Sequence, residues 1–69
     1  PNRTAINPHL RIRLARKHAN FSQAQLAAEL KVHRSAVSQW ESPSAVLPTV
    51  ENLIKLARLT EVQMEWLCT

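Results

Sequence analysis

The sequence predicts an all-α domain, and three observations carry that prediction. The chain of 69 residues contains no glycine, which disfavours the tight hairpins that small β folds depend on. It has no alternating run of β-branched residues of the kind that marks a strand. Apolar residues recur instead at helical spacing in several stretches, most of them opened by a Ser, Thr or Pro start signal. Residues 1–69 are therefore read as a single domain, near the lower size at which one hydrophobic core holds without staples.

Composition narrows the function classes. Hydrophobic residues are 45% of the chain and aromatic ones only 4%, so the core must be aliphatic with two tryptophans. Nine Lys and Arg against five Glu, with no Asp, give a net charge of +4. The resulting isoelectric point near 10.3 favours an acidic partner such as a nucleic acid. The single Cys68 cannot form an internal disulfide, and His9, His18 and His33 are too scattered for a metal site, so neither metal nor cofactor is expected. No apolar run approaches the ~20 residues needed to span a bilayer and no signal-peptide core is present, so a cytoplasmic protein is expected.

Pro1 to Asn7 is polar, carries Arg3 and lacks a helical period, so residues 1–7 read as an arm that is mobile in the free protein. Pro8 suits the first turn of a helix that runs to about Lys17 or His18, with Asn7 as its cap. Ile12 and Ala15 face inward in that helix. Arg11, Arg13 and Lys17 make its exposed side cationic and are candidates for phosphate contacts, which supply salt-dependent affinity independent of sequence.

Phe21 is expected to pack back on the core beside Ser22, which can accept hydrogen bonds from the free N–H groups of a second helix starting at Gln23. At roughly 100° per residue, Leu26, Ala27 and Leu30 share one face of it. A break is expected near Lys31-Val32-His33, after which Arg34 to Glu41 resumes a helical pattern with Val37 and Trp40 on one side. Two short helices meeting at a tight corner are the outline of a helix-turn-helix.

The outward face of the second of these helices is chemically distinctive. Arg34, Ser35, Ser38, Gln39 and Ser42 fall within an arc of about 140°, opposite Ala36, Val37 and Trp40. Such a face fits the major groove of B-DNA, where each base pair displays its own pattern of donors, acceptors and methyl groups. Arg34 can fork onto guanine, Gln39 can pair with adenine, and Ser35 and Ser38 serve either base. A short amphipathic helix that only turns polar groups to water has the same pattern, so the periodicity alone does not decide.

Pro48 and the cap Thr49 open a fourth helix to about Arg58, with Val50, Leu53, Ile54 and Ala57 at i, i+3, i+4 and i+7. A last helix spans about Val62 to Leu67. Its Val62, Met64, Trp66 and Leu67 are more apolar groups than so short a helix buries in a monomer. No repeat, low-complexity segment or second domain is visible.

LRIRLARKHANFSQAQLAAELKVHRSAVSQWE, followed by PTVENLIKLA and VQMEWL, resembles the DNA-binding domain of lambdoid phage repressors and Cro-like bacterial regulators over nearly the whole chain. FSQAQLA, SAVSQWE and a closing EWL are its most specific pieces. The resemblance implies a compact five-helix bundle that binds operator DNA as a dimer with its third helix in the groove, in a bacterial or phage-encoded, nucleoid-associated regulator. Carried over by position, Gln23 contacts a phosphate at the head of the second helix, with Ser42 grouped among the phosphate contacts, and Arg34, Ser35 and Gln39 read bases. Arg16 and Glu41 take positions that form a partly buried ion pair in related repressors. Three departures stand out. Lys31 occupies the usual turn glycine, which implies a left-handed non-glycine at a cost of ~1 kcal/mol. His33 occupies the usual Ser or Thr cap, and the loop after Glu41 carries no Lys or Arg.

One recognition helix contacts too few base pairs for operator-level specificity, so a two-fold homodimer is expected, with successive major grooves about 34 Å apart. Its surface is expected at Val62, Trp66 and Leu67, with the Val46-Leu47 loop beside it. That patch is small, so pairing is expected to be complete only on DNA. The leading reading is thus a sequence-specific DNA-binding domain of a transcriptional repressor on a palindromic operator. The alternative is a helix-turn-helix interaction module, such as an antitoxin that binds a toxin and autoregulates. An enzyme is not expected: Ser35, Ser38 and His33 lie close in sequence but lack a carboxylate to orient the base and a pocket to exclude water.

Overall fold

The computed structural model describes residues 8–43 and 46–68, so the expected N-terminal arm, residues 1–7, lies outside the described residues. Five helices follow one another: α1 Pro8–His18, α2 Gln23–Leu30, α3 Arg34–Trp40, α4 Val50–Thr60 and α5 Met64–Cys68. None of them is long and apolar enough to cross a membrane.

Two helix starts and three helix ends have a local reason. Ser22 Oγ accepts from the Gln25 N–H at 3.0 Å while the Gln25 side chain accepts from the Ser22 N–H at 2.8 Å. This reciprocal pair satisfies two donors that the first turn of α2 would otherwise leave open. Thr49 caps α4 through a 3.2 Å bond from the Asn52 N–H. Three helices stop in the same way, each with a non-glycine residue in the left-handed region: Asn20 (φ 65°) after α1, Lys31 (φ 60°) after α2 and Glu61 (φ 58°) after α4. In each case the next N–H reaches back five residues, from Phe21 to Arg16, Val32 to Ala27 and Val62 to Ala57 at 3.0–3.1 Å. These bonds satisfy carbonyls at the helix ends and set the corners of the bundle.

The core consists of Ile12, Ala15, Leu26, Ala27, Leu30, Val37, Trp40, Leu56, Ala57 and Leu67, with Phe21, Val32, Val62 and Met64 half-buried against it. It is aliphatic apart from Trp40, as the composition requires. α2 packs on α3, while α1 and α4 both pack on α5. Thr60 is buried without penalty because its hydroxyl donates to the Leu56 carbonyl at 2.7 Å.

Three expectations need correcting. The inward face of α4 is Leu56, Ala57 and Thr60 rather than the run from Val50, which is 65% exposed, through Ile54. Leu53, Leu56, Ala57 and Thr60 also repeat at helical spacing, and periodicity does not choose between two overlapping apolar faces. Leu67 is fully buried, so it belongs to the core and not to an exposed dimer patch. α5 begins at Met64 rather than Val62, and its short axis turns Leu67 inward while leaving Trp66 at the surface.

Candidate nucleic-acid interface

α3 is fixed by its inner side. Val37 and Trp40 are buried against α2 and the core, and this anchors the helix about its own axis. Arg34, Ser35, Ser38 and Gln39 are thereby left exposed on the opposite side. The helix begins at His33 in an extended conformation (φ −72°, ψ 147°) without a side-chain cap. Its last turn is tied down from two directions. The Ser42 hydroxyl donates to the Gln39 carbonyl at 3.1 Å, and His9 Nδ1, 31 residues away on α1, donates to the Trp40 carbonyl at 2.8 Å.

Beside the exposed face of α3 lies a polar cleft lined by Arg13, Arg16, Gln23, Ser38, Glu41 and Ser42. It joins α1, the first residue of α2 and the end of α3. Arg16 holds it together. Nε donates to Glu41 Oε2 at 2.5 Å, Nη2 donates to Oε1 at 3.0 Å, and Nη1 donates to the Phe21 carbonyl at 2.8 Å. The two side chains are only 10% and 4% exposed, so this pair is bidentate and largely desolvated. Gln23 joins it by donating from Nε2 to Glu41 Oε1 at 3.2 Å.

Of the three residues expected to make α1 cationic, the structure groups two. Arg13 and Lys17 are exposed one turn apart on one side of the helix, and Arg13 reaches the cleft. Arg11 does not join them. Its Nη1 donates to the Trp66 carbonyl at 2.7 Å and its guanidinium lies 5.3 Å from the Trp66 ring centroid, so it faces α5. Two residues along a helix correspond to a rotation of about 200°, which places Arg11 and Arg13 on nearly opposite sides. It is therefore withdrawn from the expected phosphate contacts.

On that far side an apolar groove runs between α1 and α5, lined by Leu14, Ala15, His18, Val62, Gln63 and Trp66. Trp66 and Val62 were expected at the surface here; Leu14, 44% exposed, was not anticipated. An apolar residue on the solvent side of an otherwise cationic helix was the available signal. The ties from His9 to α3 and from Gln23 to Glu41 were also missed, because both join residues far apart in sequence. No group of His, Cys, Asp and Glu able to hold a metal occurs among the described residues.

A buried two-helix corner that presents a polar, partly cationic helix defines a helix-turn-helix domain. The chain belongs to the helix-turn-helix family HTH_3, which matches residues 12–67. It is 40% identical over 53 residues to the cryptic phage CTXphi transcriptional repressor RstR of Vibrio cholerae, covering 77% of this chain and 46% of that protein. It is 37% identical over 57 residues to the transcriptional regulator DicA of Escherichia coli, covering 83% of this chain and 42% of that protein. The chain thus spans less than half the length of these relatives. Among solved structures, the P22 c2 repressor in complex with a synthetic operator matches with a TM-score of 0.83 and 32% identity, over 94% of this chain and 97% of that one.

Proposed function

We propose that this domain binds duplex DNA sequence-specifically as the operator-binding part of a transcriptional repressor. The observation that carries this reading is the pairing of an exposed polar face on α3 with a cationic cleft along one edge of it, within a fold solved elsewhere as a repressor on its operator. In this reading Arg34, Ser35, Ser38 and Gln39 meet base edges in the major groove. Arg13, Lys17 and Gln23, with Ser42 at the margin of the cleft, meet the flanking phosphates and set the register of the helix. The net charge of +4 supplies the attraction that any duplex offers.

Specificity at operator level calls for two copies on a palindrome. The α1–α5 groove around Trp66 and Val62 supports a contact between such copies, because it lies on the side of α1 away from Arg13 and the cleft. The pairing surface is then Val62, Trp66 and Leu14, without Leu67. Such a regulator acts where bacterial DNA lies, in the cytoplasm and associated with the nucleoid. The names of the relatives, a repressor and a regulator, favour this role over toxin neutralisation and over an enzyme.

In vitro selection of bound duplexes from a random pool tests the reading. The expected result is a palindromic consensus whose binding falls steeply with salt while its preference over random DNA survives. Binding with no salt dependence and no consensus overturns it.

A further inference from the structure

Glu41 is an unexpected neighbour for a surface that receives phosphates. Its carboxylate lines the polar cleft and carries the charge that a phosphate repels. Arg16 answers that charge with two parallel hydrogen bonds, and the buried pair presents little net charge to the cleft. The remaining contact of the carboxylate is with Gln23, whose Nε2 it holds at 3.2 Å.

That contact has a chemical consequence for Gln23. A side-chain amide has a donor end and an acceptor end that exchange places when the group turns over. A phosphate oxygen only accepts, so Gln23 meets it only through nitrogen. An ionised carboxylate also only accepts, and it therefore excludes the turned-over amide, which would set oxygen against oxygen. One N–H of Gln23 goes to Glu41, and the second is left for an acceptor outside the protein.

Resting on the DNA-binding reading above, we infer that Glu41 is a positioning residue for Gln23: neutralised by Arg16, it holds the amide nitrogen in the cleft so that the free N–H meets a DNA phosphate. The carboxylate acts through Gln23 and makes no contact with DNA itself. The unit that meets the phosphate is thus assembled from α1, α2 and the end of α3, and it depends on their being docked together.

The test is a double-mutant cycle in DNA affinity on the selected duplex at fixed salt, using Gln23→Ala, Glu41→Gln and the two combined. Thermal melting shows that each is folded. Loss of one oriented hydrogen bond predicts that Glu41→Gln weakens binding about tenfold when Gln23 is present and less than about twofold when residue 23 is alanine. Gln23→Lys, whose tip donates whichever way it turns, should make binding insensitive to Glu41→Gln within about threefold. A gain in affinity, or an equal change in both backgrounds, overturns the assignment, because the carboxylate then acts as a charge and not through Gln23. If Glu41→Gln does not fold, Glu41→Asp takes its place in the cycle, since it keeps the charge but withdraws it from the amide. Nuclear relaxation on the unmodified protein gives a check without any variant. The Gln23 amide should be clearly more rigid than that of exposed Gln63, and equal mobility of the two overturns the proposal. An unmodified protein that binds no duplex overturns the DNA reading and this one together; a protein that binds well but gives an additive cycle overturns only this one.

Discussion

The guanidinium of Arg11 lies over the indole of Trp66, 5.3 Å from the ring centroid, while its Nη1 donates to the carbonyl of the same tryptophan at 2.7 Å. One arginine thus grips both the ring and the backbone of a helix that is only five residues long. Isolated, a helix of that length has no stability in water, so α5 persists only through such tertiary contacts. Arg11→Ala should lower stability by about 1–2 kcal/mol through loss of the ring contact and the hydrogen bond. It should leave the salt dependence of DNA binding unchanged, whereas Arg13→Ala should reduce that slope by about one. Thermal unfolding and salt titration of both variants decide; a shallower slope for Arg11→Ala would return it to the phosphate contacts.

The Arg16–Glu41 pair makes a sharper statement about stability. Both side chains are nearly enclosed, so removing either leaves a buried charge without its partner. Each single truncation should cost about 3–5 kcal/mol in urea unfolding. The double truncation should be no less stable than the worse single one, and simple additivity of the two costs argues against coupling.

Lys31 holds a left-handed conformation that glycine adopts without steric cost. Lys31→Gly should therefore raise stability by up to about 1 kcal/mol, reduced by the larger freedom that glycine gives the unfolded chain. Asn20→Gly should gain less, because asparagine tolerates this region. Paired melting curves test the ranking; a destabilised Lys31→Gly contradicts it.

Gln39 and Gln23 should separate specificity from affinity. Gln39→Ala is expected to cost about 1–3 kcal/mol on the selected duplex and little on random DNA. Gln23→Ala should weaken both by similar factors. Competition binding with the two DNAs measures the difference, and equal losses for Gln39→Ala would remove it from the base-reading face.

Polar substitution of Trp66 and Val62 together should abolish cooperative filling of the two halves of a palindromic site, with binding to a single half-site retained. Footprinting on intact and half sites reads this directly. Full cooperativity in a variant shown to be folded moves the contact between copies to another surface, such as the exposed Val46, Leu47 and Val50.

Much of the architecture was legible because its signals are local. The caps Ser22 and Thr49 and the inward Leu26–Ala27–Leu30 and Val37–Trp40 sets each depend on residues within one or two turns. The polar arc of α3 was equally legible, since spacing alone assigns residues to helix faces. What escaped were relations that spacing does not encode. Spacing separates Arg11 from Arg13 by about 200° around α1, but which of the two sides is covered depends on where α5 docks, 55 residues later for Arg11. Leu67 and Trp66 are neighbours in a stretch with an excess of apolar residues, and only the packed bundle decides which of them turns inward. The same holds for α4, where two overlapping stripes were both apolar and only the core selected one.

Three of the side-chain ties described above leave from α1 and end far along the chain: His9 at Trp40, Arg16 at Glu41 and Arg11 at Trp66, across 31, 25 and 55 residues. A ribosome delivers α1 before any of those partners exists. The helix-turn-helix corner closes between near neighbours and can condense as soon as it emerges, but beyond the Arg16 bond to the Phe21 carbonyl α1 gains no distant tie until α3 has followed, and its last clamp waits for α5. α1 therefore emerges before the residues that clamp it, and a nascent chain halted before Trp40 would leave Ile12 and Ala15, buried in the finished bundle, uncovered on a helix still without its distant ties.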